Sequence, residues 1–221
     1  MQLKLDLHVH TWASRDGVSS LEEVLRAASR KGLDGIAITD HDQPFPMQLA
    51  EKLSRETELL VVPGVEITTR QGHLIALGFE ELVKPMCDAL AAGDLIKSAG
   101  GVLVVPHPFD KYSHGVGEEL AVELEPHAVE VCNASTWRRY NRRAAELSRS
   151  RGIPGIAGSD AHHWRGVGRA YTVVEVEEPS IEEVLKAIRR GRVRAVEGYL
   201  PISVSILTLA CRVLRAWGRR P

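Results

Sequence analysis

Short, β-branched apolar runs alternate along this chain with helix-like segments, and six of those runs give way at their C-terminal ends to histidine, aspartate, glutamate or asparagine. The runs at residues 3–9, 35–39, 59–62, 73–77, 102–105, 128–132, 156–158, 171–176 and 193–196 have the length and composition of strands. Between them lie helical patterns at 48–57, 85–100, 118–124 and 140–151, and two that open on capping boxes, Ser20-x-x-Glu23 and Ser180-x-x-Glu183. Gly32 and Gly191 stop those last two, and a final amphipathic helix is expected from about Ser205. Regular β-α alternation predicts an α/β fold with a parallel, barrel-like sheet, in which the C-terminal ends of all strands meet at one mouth.

Polar residues converge on that mouth. His8 and His10 close the first run two residues apart, so both imidazoles project from one face of a strand. Thr39-Asp40-His41-Asp42 closes the second, Pro63-Gly64-Val65-Glu66 follows the third, and Pro106-His107-Pro108, Asn133 and Ser159-Asp160-Ala161-His162 end later ones. Each motif alone has an ordinary explanation: a surface or core histidine pair, a turn or cap, a rigid loop. Their joint occurrence, in order, at strand ends is what a metal site requires. Imidazole and carboxylate suit zinc, manganese or iron, and so many ligands exceed the needs of one tetrahedral ion, so two or three divalent ions are expected, with Glu66 able to bridge two of them.

Composition narrows the alternatives. The formal net charge of −1 gives no whole-molecule field for nucleic acid or anionic membrane. Three widely spaced cysteines, Cys87, Cys132 and Cys211, build neither a disulfide scaffold nor a thiolate zinc site and suit a reducing cytoplasm. No signal segment is read in the first residues, and the longest uncharged stretch, 198–211, contains Pro201 and is too short to span a bilayer. All nine histidines fall within the first 163 residues. A histidine surplus confined to part of a chain points to a site.

With these pieces assembled, the sequence resembles the PHP (polymerase and histidinol phosphatase) family over about residues 1–200. The resemblance is carried by Asp6-Leu7-His8-Val9-His10-Thr11 with Asp16-Gly17, Ile38-Thr39-Asp40-His41-Asp42, Pro63-Gly64-Val65-Glu66, Pro106-His107-Pro108 and Gly158-Ser159-Asp160-Ala161-His162. It implies a distorted (β/α)7 TIM-like barrel over 1–200 with a C-terminal helix packed on it, and a di- or trinuclear metal site that hydrolyses a phosphoester with a metal-activated water. Carried over position by position, it implies a first ion on His8, His10, Glu66 and Asp160, a second on Glu66, His73 and His107, and a third on Asp16, His41 and His162. The substrate is expected to be a phosphorylated small molecule, a nucleotide or an oligonucleotide. Histidinol phosphate, and C–N hydrolysis of the amidohydrolase kind, are the alternatives. Only 33 residues separate His73 from His107, enough for one helix and the next strand, so an open mouth without a cap is expected.

Outside the ligand set, Arg15, Arg138, Arg165 and Asn133 are candidate substrate contacts, because arginine forks match phosphate and Asn133 stands at a strand end. His114, His127 and His163 receive no role. Arg138–Arg151 contains six arginines and reads as a solvated face or as a track for a nucleic acid strand. In the last helix Ile206, Ala210, Val213 and Trp217 share one face, expected to pack on the barrel or on another subunit, with Arg212, Arg215, Arg219 and Arg220 as its basic residues.

Overall fold

A computed structural model describes residues 1–217. The strands are β1 (Gln2–Val9), β2 (Gly35–Ile38), β3 (Leu60–Thr68), β4 (His73–Leu77), β5 (Val102–Val105), β6 (Ala128–Asn133), β7 (Gly155–Gly158), β8 (Tyr171–Glu175) and β9 (Val193–Val196). The helices are α1 (Leu21–Arg30), α2 (Met47–Thr57), α3 (Ala89–Ser98), α4 (Glu118–Glu123), α5 (Arg138–Arg151), α6 (Ile181–Arg189) and α7 (Ile202–Ala216). The sheet order is β7-β6-β5-β4-β3-β2-β1-β8-β9. It curls into a nearly closed barrel: Val9 bridges Ala161 beyond the end of β7, and Asp160 N–H donates to the His8 carbonyl at 2.8 Å. Lower down, β8 fills the gap between β1 and β7, where the Thr172 hydroxyl both accepts from Ala157 N–H and donates to the Ala157 carbonyl, each at 2.8 Å. Among the described residues no helix is long and apolar enough to cross a membrane.

The barrel is not all-parallel. β4 runs antiparallel to both β3 and β5, and β8 runs antiparallel to β1 and β9. Alternating hydrophobicity reports which face a residue takes but not the direction of its strand, so the reversal of β4 lay outside the pattern's reach. Several boundaries also move. β3 continues through Pro63 and Gly64 to Thr68, which puts Glu66 inside the strand and not after it. α3 starts only after its N-cap Asp88, whose carboxylate accepts from Leu90 and Ala91, and α7 starts at Ile202 behind Pro201. The Ser20–Glu23 capping box is complete in both directions, whereas at α6 Ser180 caps Glu183 N–H and the Glu183 side chain turns to Lys186.

Alternation along the strands builds the site. The interior apolar cluster takes Val62 of β3, Ile75 and Leu77 of β4, Val102 and Val104 of β5, Ala128 of β6 and Ile156 of β7, with Val184, Leu185 and Ile188 of α6 closing it. Each buried aliphatic side chain contributes about 1.5–3 kcal/mol. Two residues nearer the mouth on the same phase, β3 presents Gly64 and then Glu66, β6 presents Glu130, and β4 presents His73. In β1 the phase slips. Leu3, Leu5 and Leu7 join the interior, but Val9 packs outward against Val24, Leu25 and Ala28 of α1. The register shift between Asp6 and Val9 accounts for it: a bulge lets Leu7 and then His8 and His10 all face inward.

Gly158 completes the packing beneath His8. A Cβ there would lie 2.5 Å from His8 Cβ and 2.9 Å from Glu130 Oε1. Gly158→Ala is expected to lower stability by about 1–3 kcal/mol, read from urea unfolding, because neither buried neighbour has room to retreat.

Candidate metal centre

All nine predicted ligands converge at the mouth. β1 brings His8 and, just past its end, His10; the β2–α2 loop brings His41, β3 Glu66, β4 His73, the loop after β5 His107, and the segment after β7 Asp160 and His162. Asp16 comes from the β1–α1 loop. His73 reaches this end because β4 is reversed, so its first residue lies where its neighbours finish.

Glu66 stands at the centre. Its Oε1 lies 3.0 Å from His73 Nδ1 and 3.1 Å from His107 Nε2. Its Oε2 lies 3.2 Å from both His8 Nε2 and His10 Nε2 and 3.4 Å from His41 Nδ1. Asp160 Oδ1 is 3.4 Å from His10 Nε2, 3.6 Å from His8 Nε2 and 3.4 Å from His162 Nδ1. Asp16 Oδ2 faces His162 Nε2 at 3.0 Å and His41 Nε2 at 3.9 Å. The backbone at His107 and Asp160 is left-handed, with φ 28° and 51°. Such strain in non-glycine residues is held only where the surroundings dictate it.

The donor set fits metal ions. His8 Nε2 and His10 Nε2 lie only 3.1 Å apart. Two ring nitrogens bound to one ion at about 2.0–2.1 Å each are about 3–3.4 Å apart, and without an ion the same spacing is that of a proton shared between the two rings. His107 Nδ1 is buried with no hydrogen-bond partner among the described residues, and the buried His41 Nδ1 and His162 Nε2 face only the carboxylate oxygens of Glu66 and Asp16. Four overlapping groups each bring their ligand atoms within 4.8 Å of one another: His10, Asp16, His41 and His162; His8, His10 and Asp160; His8, His107 and Glu130; and His41, Glu66 and His73.

A second layer orients these ligands, and its central residue escaped the sequence reading. Glu130 Oε1 takes the His8 Nδ1 hydrogen bond at 3.1 Å, which leaves His8 Nε2 as the lone-pair nitrogen. Its Oε2 accepts from His107 N–H at 3.0 Å and from Asn133 Nδ2 at 2.9 Å. The available signal was a lone carboxylate two residues from Ala128 on an otherwise apolar strand. Asn133 is completely buried, donates to Glu130 and Asp160 and accepts from Ser135 N–H, so it positions carboxylates and has no surface left for substrate. Asp40 holds the β1–α1 loop, accepting from Thr11 N–H and Oγ1 at 2.6 Å and from Ser14 N–H at 3.1 Å.

The candidate substrate contacts divide. Arg15 lines the metal cavity, whose volume is about 230 Å³, and also a larger cleft of about 760 Å³ beside it. Arg138 lies over the Tyr199 ring and Arg165 over Trp164, and neither lines that cavity. Of the unassigned histidines, His114 stacks on His73 with centroids 5.2 Å apart and lines the cavity. His127 Nδ1 accepts from Leu103 N–H, and His163 caps the 3-10 turn at Trp164–Gly166. The last helix presents the opposite face from the one expected. Val204 and Cys211 are buried while Ile206, Ala210, Val213 and Trp217 are exposed, because Arg212 and Arg215 fasten the inner face to carbonyls of the β1–α1 loop. Arg219 and Arg220 lie outside the described residues.

Without ions the cluster holds protons. Burial alone would lower the His10 pKa, but hydrogen bonds to Asp160 and Glu66 raise it to about 9. Burial likewise opposes the charge on His8, yet Glu130, Asp160 and Glu66 carry its pKa well above the usual value. Burial would raise the Glu66 pKa, but the surrounding His41, His8 and His73 bring it well below the usual range, and burial takes His41 down to about 4.

The chain belongs to the PHP family: it matches the PHP domain over residues 6–150 and the PHP-associated region over residues 138–193. It is 35% identical over 125 residues to the phosphoribosyl 1,2-cyclic phosphate 1,2-diphosphodiesterase of Eggerthella lenta, covering 54% of this chain and 47% of that enzyme. It is 31% identical over 126 residues to the 5'-3' exoribonuclease of Haemophilus influenzae, covering 50% and 44%. In fold it is similar to a two-domain protein from Bacteroides vulgatus containing a predicted PHP-like metal-dependent phosphoesterase, with TM-score 0.72, 23% identity and coverage of 96% of this chain and 70% of that one.

Two measurements follow from the site. Ligation requires neutral imidazole, so ions added at pH 7.5 displace protons from His8 and His10. Calorimetry should show a binding enthalpy that depends on buffer ionisation, and an apparent affinity that climbs with pH from neutrality through about 9, where His10 gives up its proton unaided. Glu130→Gln, which removes the charge behind His8, should weaken ion binding about 10–100-fold in equilibrium dialysis.

Proposed function

We propose that the chain is a metal-dependent phosphoesterase whose mouth holds two or three divalent ions of the zinc, manganese or iron kind. The reading is carried by one observation: the two oxygens of Glu66 face two different histidine sets, His73 and His107 on one side and His8, His10 and His41 on the other. A carboxylate so placed suits a bridge between neighbouring ions. In the assignment that family membership supports, His8, His10, Glu66 and Asp160 hold one ion, Glu66, His73 and His107 a second, and Asp16, His41 and His162 a third. When bound, such ions acidify the attacking water and neutralise phosphoryl oxygens during in-line displacement.

The remaining work falls to the chain's own groups. Glu130 and Asn133 keep His8, His107 and Asp160 aimed before substrate arrives. Arg15, on the wall shared by the cavity and the cleft, offers a planar fork to non-bridging phosphate oxygens. His114, stacked on His73, is the imidazole placed to give a proton to the leaving oxygen.

The cleft beside the metal cavity favours a substrate that extends beyond its phosphate. It carries Arg15, Arg70 and Lys111, so it suits a nucleotide or a short oligonucleotide better than histidinol phosphate. A cytoplasmic location accords with its three free cysteines.

The test is chelation, reconstitution with manganese, iron or zinc, and a panel of p-nitrophenyl phosphate, its bis-ester, mononucleotides, short oligonucleotides and histidinol phosphate. Hydrolysis should return only with metal, and His8→Ala or Asp160→Ala should reduce kcat/KM at least about a hundredfold. Activity that survives chelation or either substitution would overturn the reading.

A further inference from the structure

Among the nine proposed ligands, Asp16 alone is paired with an arginine of the described residues. Arg212 Nη2, on the inner face of α7, lies 3.1 Å from Asp16 Oδ2, and Arg212 Nε donates to the Asp16 carbonyl at 2.8 Å. One turn further, Arg215 donates to the carbonyls of Ser14 at 3.1 Å and Trp12 at 3.0 Å, and to that of Gly17. Two guanidinium groups from one helix thus clasp the loop that presents a metal ligand. Arg212 itself lines the metal cavity.

The same carboxylate oxygen has two claimants. Asp16 Oδ1 is engaged by the Ser14 hydroxyl at 2.9 Å. Oδ2 is the atom that faces His162 Nε2 and His41 Nε2, and it is also the atom that Arg212 holds. A carboxylate whose charge is already matched by a guanidinium is a weaker ligand, and a fixed positive charge beside the position repels an incoming divalent ion.

We propose that Arg212 is a resident counter-charge for Asp16 that competes with an ion at the Asp16–His41–His162 position, so that the docked C-terminal helix keeps this third position weak while the positions around Glu66 stay tight. The proposal rests on the metal-site reading above. Competition is reciprocal: filling the third position loosens the hold of α7 on the β1–α1 loop.

Metal stoichiometry and affinity, by equilibrium dialysis against manganese with elemental analysis, compare the full chain with Arg212→Gln and Arg212→Lys. The glutamine variant should bind the third ion about tenfold more tightly or better, while the lysine variant, which keeps the charge, stays near wild type. A purely structural role for Arg212 would weaken the site in both. Hydrogen exchange on the unaltered chain gives a second readout, in which amides of α7 should exchange faster once manganese is raised from two equivalents to saturation. A third ion bound no more tightly by Arg212→Gln, or α7 protection that does not fall on saturation, would overturn the competition while leaving the first two ions intact. Less than one ion bound by the wild-type chain would instead bring down the metal-site reading, and this proposal with it.

Discussion

A buried carboxylate shared between imidazole sets on opposite sides is the constraint around which the mouth is arranged. Glu66 is 1% exposed and has five histidine rings within 3.4 Å of its two oxygens. Such a group is tolerable in an apolar barrel only if positive charge is gathered about it, as protons or as ions. The backbone follows from that requirement. β3 must run on past Gly64 to carry Glu66 into the mouth, β1 must bulge so that both its histidines turn inward, and β4 must be reversed so that His73 arrives at the right end.

The second layer fixes which nitrogen of His8 is on offer and ties the neighbouring ligands together. Glu130 takes the Nδ1 hydrogen of His8, Asn133 ties Glu130 to Asp160, and Asp6 knots β1 to the segments after β7 by accepting from Ser159 and Gly168 N–H at 2.8 Å. Burial raises the pKa of Asp6 to about 6 despite those bonds. These side chains are buried away from solvent. Their effect is to make the ligand geometry a property of the folded sheet, prepared before any ion arrives.

Much of this was legible in the residue order. His8 and His10 share a face by two-residue spacing, Glu66, His107 and Asp160 stand at or near strand ends that meet at one mouth, and the barrel-like α/β architecture follows from the alternation of elements. Three things were not legible, each for a physical reason. Strand direction leaves no trace in hydrophobic alternation, so β4 passed as parallel. A glutamate in an apolar strand announces burial but not its partners, so Glu130 passed unnoticed. Helical spacing marks an apolar stripe on α7, yet the two arginines on its other face bind loop carbonyls and turn the stripe of Ile206, Val213 and Trp217 outward. Specific hydrogen bonds to backbone decided an orientation that hydrophobicity alone would have set the other way.

The reversal of β4 also separates two tasks along the chain. After Leu77 the backbone is at the far end of the barrel, and it climbs back along the outside until Met86 N–H meets the Thr68 carbonyl at 2.7 Å beside the cleft. No proposed ligand lies on this ascending stretch, yet Pro85 and Met86 form part of the cleft wall. The cleft wall and the proposed ion ligands are thus supplied in part by different stretches of the chain.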